Sequence, residues 1–207
     1  EKAELVGISI CFDEKNAFYI PINHKDPETN KILEDQVSQQ EVIKLISAIC
    51  SDLSILKIGQ NLKYDMRILK KYDVTFNSID DTMLLSYVLD NGLIRHGMDD
   101  LAYRHLNHTT IKFKDLVGSG KKQITFDYVP IDQATKYAAE DALITLKLYN
   151  HLKPRVVNEK TTNVYEKIDK PLLNVLSSME EIGIKVNEEY LKKLSDQFNK
   201  EAKNIEK

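Results

Sequence analysis

Apolar residues recur at every second position through the first 22 residues and at every third or fourth thereafter. This change of period limits the fold more than any other feature of the sequence. Val6, Ile8, Ile10 and Phe12 share one face of an extended run, Asp13-Glu14-Lys15-Asn16 is turn-like, and Phe18, Ile20 and Ile22 alternate again. Two such runs around a short polar turn predict an antiparallel hairpin. Residues 24–40 read as a polar loop. Val42, Leu45, Ile46 and Ile49 predict a helix over 41–50. A short interior strand over 54–58 is broken by Gly59-Gln60-Asn61, and Asn61 is placed to cap a helix over 62–71. Ile79-Asp80-Asp81 reads as a strand end, with helices over 82–89 and 98–106. Residues 107–129 form a long, Lys-rich connector, and Pro130 opens the clearest helical pattern, 131–152. A hairpin followed by alternating helix and strand predicts an α/β fold with a mixed sheet flanked by helices.

Beyond Pro154 the texture is helical. Val164, Ile168, Val175, Leu176, Met179 and Ile182 predict an amphipathic helix stopped by Gly183. Asn187 caps another that carries Leu191, Leu194, Phe198 and Ile205. That helix ends in charge with no stop signal, so the expectation is a piece of a longer chain. The division expected is 1–155 for the α/β domain and 156–207 for the beginning of a helical one. With 207 residues and a net charge of −3, the chain is not a strongly basic nucleic-acid binder as a whole, although a local basic channel is compatible. No apolar run is long enough to span a bilayer, and Glu1-Lys2-Ala3-Glu4 is not a signal peptide. The expected location is the cytoplasm and the expected state a monomer, although the sequence itself does not specify oligomeric state. Cys11 and Cys50, each in an apolar stretch, read as buried free thiols. His105 and His108 read as a surface helix end rather than a metal pair.

Two helices each place a polar residue four positions before an aspartate: Asn61 before Asp65, and Tyr137 before Asp141. Residues at i and i+4 share a helix face. Asp141 borders a stripe of Ala134, Ala138, Ala142, Leu146 and Tyr149, whose small members permit close approach to a sheet. A carboxylate against a core is costly unless paired, protonated or on a metal. Asp65 follows the carboxyl end of an interior strand, where α/β folds place ligands. Two such aspartates beside one sheet offer hard oxygen ligands to divalent cations. An aspartate at the rim of a buried face, bonded to water or a lysine, is the plainer alternative.

The motifs resemble those of a known family. Gly59-Gln60-Asn61-Leu62-Lys63-Tyr64-Asp65 is similar to the second exonuclease motif of bacterial family-A polymerases (DNA polymerase I). Tyr137-Ala138-Ala139-Glu140-Asp141-Ala142 is similar to the third, in the tyrosine subclass of the DEDD 3′–5′ exonucleases. Asp80-Asp81-Thr82-Met83-Leu84 and Arg95-His96-Gly97-Met98-Asp99-Asp100-Leu101-Ala102 resemble the segments between. From Tyr165 onward the chain resembles the start of the family-A polymerase region. The resemblance implies a ribonuclease-H-like fold, proofreading removal of mismatched 3′-terminal nucleotides, and two divalent cations, Mg²⁺ or Mn²⁺. It implies that Asp141 and Asp65 are metal ligands and that Tyr137 orients the attacking water. It places Gln60, Asn61, Tyr64, Arg95, Met98 and Phe113 against a single-stranded 3′ end of DNA, with Phe113 stacking on frayed bases. The remainder of a polymerase chain is the expected partner.

One departure matters. The family's first motif, a strand with an Asp-x-Glu pair of metal ligands, lies before the strand that begins near Leu5. Asp13 and Glu14 are adjacent, so on a strand they would face opposite ways, and they fall in the predicted turn. The expectation is weak or no cation binding and little or no activity in this piece. Lys112, Lys114, Lys121 and Lys122 in the connector either contact phosphates or solvate a loop. Two other functions compete with proofreading: a non-catalytic scaffold or single-strand-binding module of a polymerase, and a ribonuclease-D-like exoribonuclease.

Overall fold

The computed structural model describes residues 3–206. The described residues form two compact units that divide between Asn174 and Val175. In the first, β1 (Gly7–Cys11) pairs antiparallel with β2 (Ala17–Pro21), Ile8 opposite Ile20 and Ile10 opposite Phe18. The turn is closed by Asp13, whose Oδ1 accepts the backbone N–H groups of Lys15 at 2.7 Å and Asn16 at 2.8 Å. Helix α1 (Gln39–Ser51) turns Val42, Ile46 and Cys50 inward. Next come β3 (Lys57–Gly59), α2 (Leu62–Lys70) and β4 (Ile79–Asp81), and β4 returns parallel to β3 with Gly59 opposite Asp81. Helices α3 (Thr82–Asp90), α4 (Met98–Leu106), α5 (Phe113–Val117) and α6 (Ile131–Asn158) follow. The long connector is therefore structured, by α5 and by two single 3₁₀ turns.

The antiparallel and parallel pairs are the two halves of the expected mixed sheet. Among the described residues they are not hydrogen-bonded to each other. Helix α6 packs across β1, β2 and β3 and so spans both pairs. Its buried Ala134 and Ala138 allow that approach. Between β1 and β3 lies a cleft of about 420 Å³.

The helix does not end near Leu152, as the sequence pattern predicts, but runs through Pro154 to Asn158. An interior proline costs about 3 kcal/mol. Leu148, Leu152 and Val156 are fully buried on one stripe, and each aliphatic side chain contributes about 1.5–3 kcal/mol on burial, enough to offset it. The compact unit accordingly extends past residue 155. Short helix α7 (Thr162–Val164) passes through a π turn, Tyr165–Asp169, into α8 (Lys170–Ile182). The π turn adds a residue and shifts the helical phase. Tyr165 and Leu173 are the buried residues, whereas the predicted stripe of Val164, Ile168, Val175, Leu176, Met179 and Ile182 is exposed. The second unit holds the end of α8 and helix α9 (Glu188–Ile205), whose cap Asn187 accepts the Tyr190 N–H at 3.0 Å.

Cys50 is buried as expected, while Cys11 is only partly so and donates to the Asp13 carbonyl. His24 is fully buried and pins the hairpin to the start of α6. Its Nδ1 donates to the Val129 carbonyl at 3.0 Å, which leaves Nε2 to accept from the Tyr19 hydroxyl at 2.7 Å. A methyl group on Gly7 would meet that hydroxyl at 2.1 Å. Because His24 holds the tyrosine in place, Gly7→Ala is expected to cost about 1–3 kcal/mol in urea denaturation, the scale of overpacking. Relief of that loss by a second change, Tyr19→Leu, would identify the clash as its cause.

Candidate active site

The site forms where three helices meet the cleft. Helix α2 brings Asp65 one turn from its start, α6 brings Asp141, and α4 brings Met98 at its first position. All three line the cleft, as do Gln60 and Thr145. The two aspartates paired by sequence reasoning are thus brought to one cavity by separate helices.

Asp141 is mostly buried, and burial pushes its carboxyl up to about 7. The Tyr137 hydroxyl, its hydrogen-bonding partner one turn earlier, acts in the opposite direction, and the negative charges of Glu140 and Asp99 add to the rise. Thr145 donates to the Asp141 carbonyl at 2.8 Å. Asp65 is crowded by protein, which raises its carboxyl, and the charge of Asp81 raises it further. Its surface nevertheless opens to solvent. Water reaching that open side tempers the rise without reversing it. No lysine or arginine contributes to either shift. A largely buried carboxyl, Asp141, and a solvent-facing one, Asp65, on one cleft make a donor set suited to a hard divalent ion. The set is partial. Among the described residues no group of three or more His, Cys, Asp or Glu side chains could hold a metal.

Gln60 is engaged on both sides. Its Oε1 accepts from Thr82 and its Nε2 donates to the His96 carbonyl at 2.9 Å, tying β3 to the segment that carries Arg95 and Met98. Asn61 sits at the start of α2 in the left-handed region, φ 58° and ψ 45°, and its side chain makes no capping bond. The cap predicted for Asn61 is supplied instead by Asp81, whose carboxylate reaches the backbone of α2. Tyr64, Arg95 and Phe113 are exposed.

Phe113 belongs to a ring cluster that sequence reasoning did not assemble. Its ring stacks on Phe126 at 5.9 Å, and both lie 6.0 Å from Tyr137. Glu140, inside the third motif, holds the segment before Phe113. Its Oε1 lies 2.8 Å from His108 Nε2, and its Oε2 accepts the Ile111 N–H at 2.7 Å. His108 thus pairs with Glu140, and His105 lies against His151 instead. Asp13 and Glu14 stay in the hairpin turn, where Glu14 accepts from Asn150 at 2.6 Å. Lys112, Lys114, Lys121 and Lys122 are exposed.

Residues 2–157 match the 3′–5′ exonuclease family of family-A DNA polymerases, and the chain belongs to that family. DNA polymerase I of Rhizobium leguminosarum is 43% identical over 99% of this chain, and that of Pseudomonas aeruginosa 37% identical over 90%. The chain spans only 22% and 20% of those two relatives. Among solved structures, a Pol1 of M. smegmatis in complex with DNA primer-template and dNTP matches with a TM-score of 0.68 at 19% identity, covering 97% of this chain and 30% of that one. Brucella melitensis NrnC with bound Mg²⁺ matches with a TM-score of 0.60 at 19% identity, covering 87% and 78%. At such identities these two likenesses establish the fold, the ribonuclease-H-like architecture of exonuclease domains.

Proposed function

We propose that this chain is the proofreading part of a bacterial DNA polymerase I, which hydrolyses 3′-terminal nucleotides from single-stranded DNA ends. Residues 1–155 would form the exonuclease domain and 156–207 the beginning of the polymerase domain. The observation that carries this reading is the convergence of Asp65 and Asp141 on one cleft, with Tyr137 bonded to Asp141.

In this reading Asp65 and Asp141 hold divalent cations. Two bound ions supply an activated water and charge neutralisation at the leaving oxygen. Tyr137, its hydroxyl beside Asp141, orients the attacking water. Burial and the neighbouring carboxylates hold the phenol well above its ordinary pKa, so it stays protonated and acts as a donor. The Phe113, Phe126 and Tyr137 rings offer a face on which a base of any identity can stack. Asn61, Tyr64, Arg95 and Met98 line the approach of the strand, and Gln60 supports it through the His96 segment. Among the described residues β1 and β3 are not paired with each other, and both line the cleft, so a strand bearing an Asp-x-Glu pair beside them would complete the donor set. Two carboxylates and water bind cations weakly, so the chain without that strand is expected to have little activity.

The test uses a 5′-labelled single-stranded DNA oligonucleotide with Mg²⁺ or Mn²⁺. Stepwise shortening is expected from a version extended by the Asp-x-Glu strand and not from residues 1–207 alone. Asp141→Ala in the extended version should slow it by roughly 10²–10³-fold or more, the scale of losing one preorganised electrostatic contact. No shortening by the extended version would overturn catalysis and leave a scaffold. Preference for an RNA oligonucleotide would instead make the chain an exoribonuclease.

A further inference from the structure

We infer that Asp81 is a positioning residue for the exonuclease reaction: one buried carboxylate holds the start of α2 and so sets where Asp65 and Asn61 stand. The inference rests on the function proposed above and adds a residue to it. Asp81 ends β4, is 3% exposed, and caps its own helix by accepting the Met83 N–H at 2.8 Å. The same carboxylate crosses to the neighbouring β3–α2 turn. Oδ1 accepts the Asn61 N–H at 3.1 Å and Oδ2 the Leu62 N–H at 2.7 Å. A capping side chain ordinarily serves the helix it begins. Here one carboxylate serves two, and the residue that should cap α2 does not.

The reason lies in the turn. The left-handed region costs most non-glycine residues roughly 1–2 kcal/mol; asparagine enters it more readily than most, and its place in the turn is fixed by its surroundings. Asn61 is held by Asp81 from one side. Thr82, the next residue of β4–α3, reaches the same turn through the Gly59 carbonyl at 3.1 Å and the Gln60 side chain. Asp81 is itself fixed, because its backbone N–H donates to the buried Tyr165 hydroxyl at 3.1 Å. The N–H groups at the starts of α2 and α3 favour its charge, against the larger opposing effect of burial. Asp65 lies four residues after Asn61, on the first turn of the helix whose first N–H groups Asp81 holds. A shift of that turn moves the Asp65 carboxylate in the cleft, and a misplacement of about 1 Å is enough for a 10²-fold loss in rate.

Asp81→Ser separates the two duties, since serine caps its own helix but is too short to reach α2. In residues 1–207 without metal, amide exchange at Asn61 and Leu62 should quicken at least tenfold while Met83 stays protected, and the Asp65 carboxyl resonance should shift. In the extended protein, kcat should fall by about 10²-fold with KM for the oligonucleotide little changed. Asp81→Asn, which keeps the shape and one acceptor oxygen, should be intermediate and serves if the serine variant does not fold. Unchanged exchange at Asn61 and Leu62, or quickened exchange with unchanged kcat, would overturn the inference. If the extended wild type is itself inactive, the proposed function fails, and the exchange and Asp65 resonance decide whether Asp81 sets the turn.

Discussion

Asp80→Ala is expected to destabilise the first unit by about 3–5 kcal/mol, the scale of leaving a buried ion-pair network with one partner removed. Its side chain is 3% exposed and lies between two lysines, with Lys153 Nζ 2.9 Å from Oδ2 and Lys170 Nζ 2.9 Å from Oδ1. The Tyr165 hydroxyl donates to Oδ1 at 2.9 Å, and both ammonium groups sit over the Tyr165 ring, at 4.7 and 5.6 Å from its centre. Glu166 bridges the lysines from outside, at 2.9 and 2.8 Å. Removing Asp80 takes away the acceptor of the Tyr165 O–H and leaves two positive charges together with only the partly exposed Glu166 between them. Glu166→Ala should cost only about 1 kcal/mol or less, because its pairs face water. Urea denaturation of the two variants measures the contrast, and equal losses would show that burial of Asp80 is not what matters. The lysines and Tyr165 hold the Asp80 carboxyl below its ordinary range, against the opposing effect of burial. Its contribution is therefore present above an unfolded pKa of about 3.9 and is lost as pH falls through the lower folded value. The gap between wild type and Asp80→Ala should close in acid.

Asp141→Asn should act in the opposite direction and stabilise the metal-free chain at neutral pH. Burial pushes the Asp141 carboxyl up to about 7, so the folded state keeps a proton that the unfolded chain releases near pH 4. Between those values the folded state binds more protons, and stability falls as pH rises. Each pKa unit corresponds to about 1.4 kcal/mol. Partial solvation trims the total, so the gain expected at pH 8 is roughly 2–4 kcal/mol. At about pH 2–3, below the unfolded pKa, the carboxyl is neutral in both states and the variant should match wild type. Thermal denaturation at the two pH values provides the measurement. A neutral substitution that leaves stability unchanged at pH 8 would mean that the cleft solvates Asp141 fully. Under the proposed function, Mg²⁺ should raise the melting temperature of the version extended by the Asp-x-Glu strand, and raise it less after Asp141→Asn, which removes one carboxylate ligand.

The cleft carboxyl of Asp141 is thus kept at the expense of stability, whereas Asp80 contributes to it, and local sequence does not distinguish the two kinds. Asp65, Asp80, Asp81 and Asp141 each stand at or near the start of a helix or on a helix face. Their different fates follow from what lies opposite in space: a cleft for Asp65 and Asp141, two lysines for Asp80, and two helix starts for Asp81.

Much of this protein was legible in its sequence. Period-two alternation specified the hairpin because a half-buried strand must put every second side chain on the core. Helical spacing located α1 to α4 and α6 because an apolar stripe is what a helix must bury. Asp65 and Asp141 stood out because their i and i+4 partners and motifs are local. What remained hidden depends on pairs far apart in the chain. The path of α6 through Pro154 was decided by burial of Leu148, Leu152 and Val156, which outweighs a local breaker. The π turn at Tyr165–Asp169 turned a different side chain inward than the helical period selects. Phe126 joined Phe113 and Tyr137, and Asp81 took over the cap of α2, through contacts spanning 11 to 20 residues. Sequence determines which residues can form a helix or strand and which can ionise. Only the tertiary structure decides which of them meet, because burial and electrostatic partnership are properties of the neighbours that folding supplies.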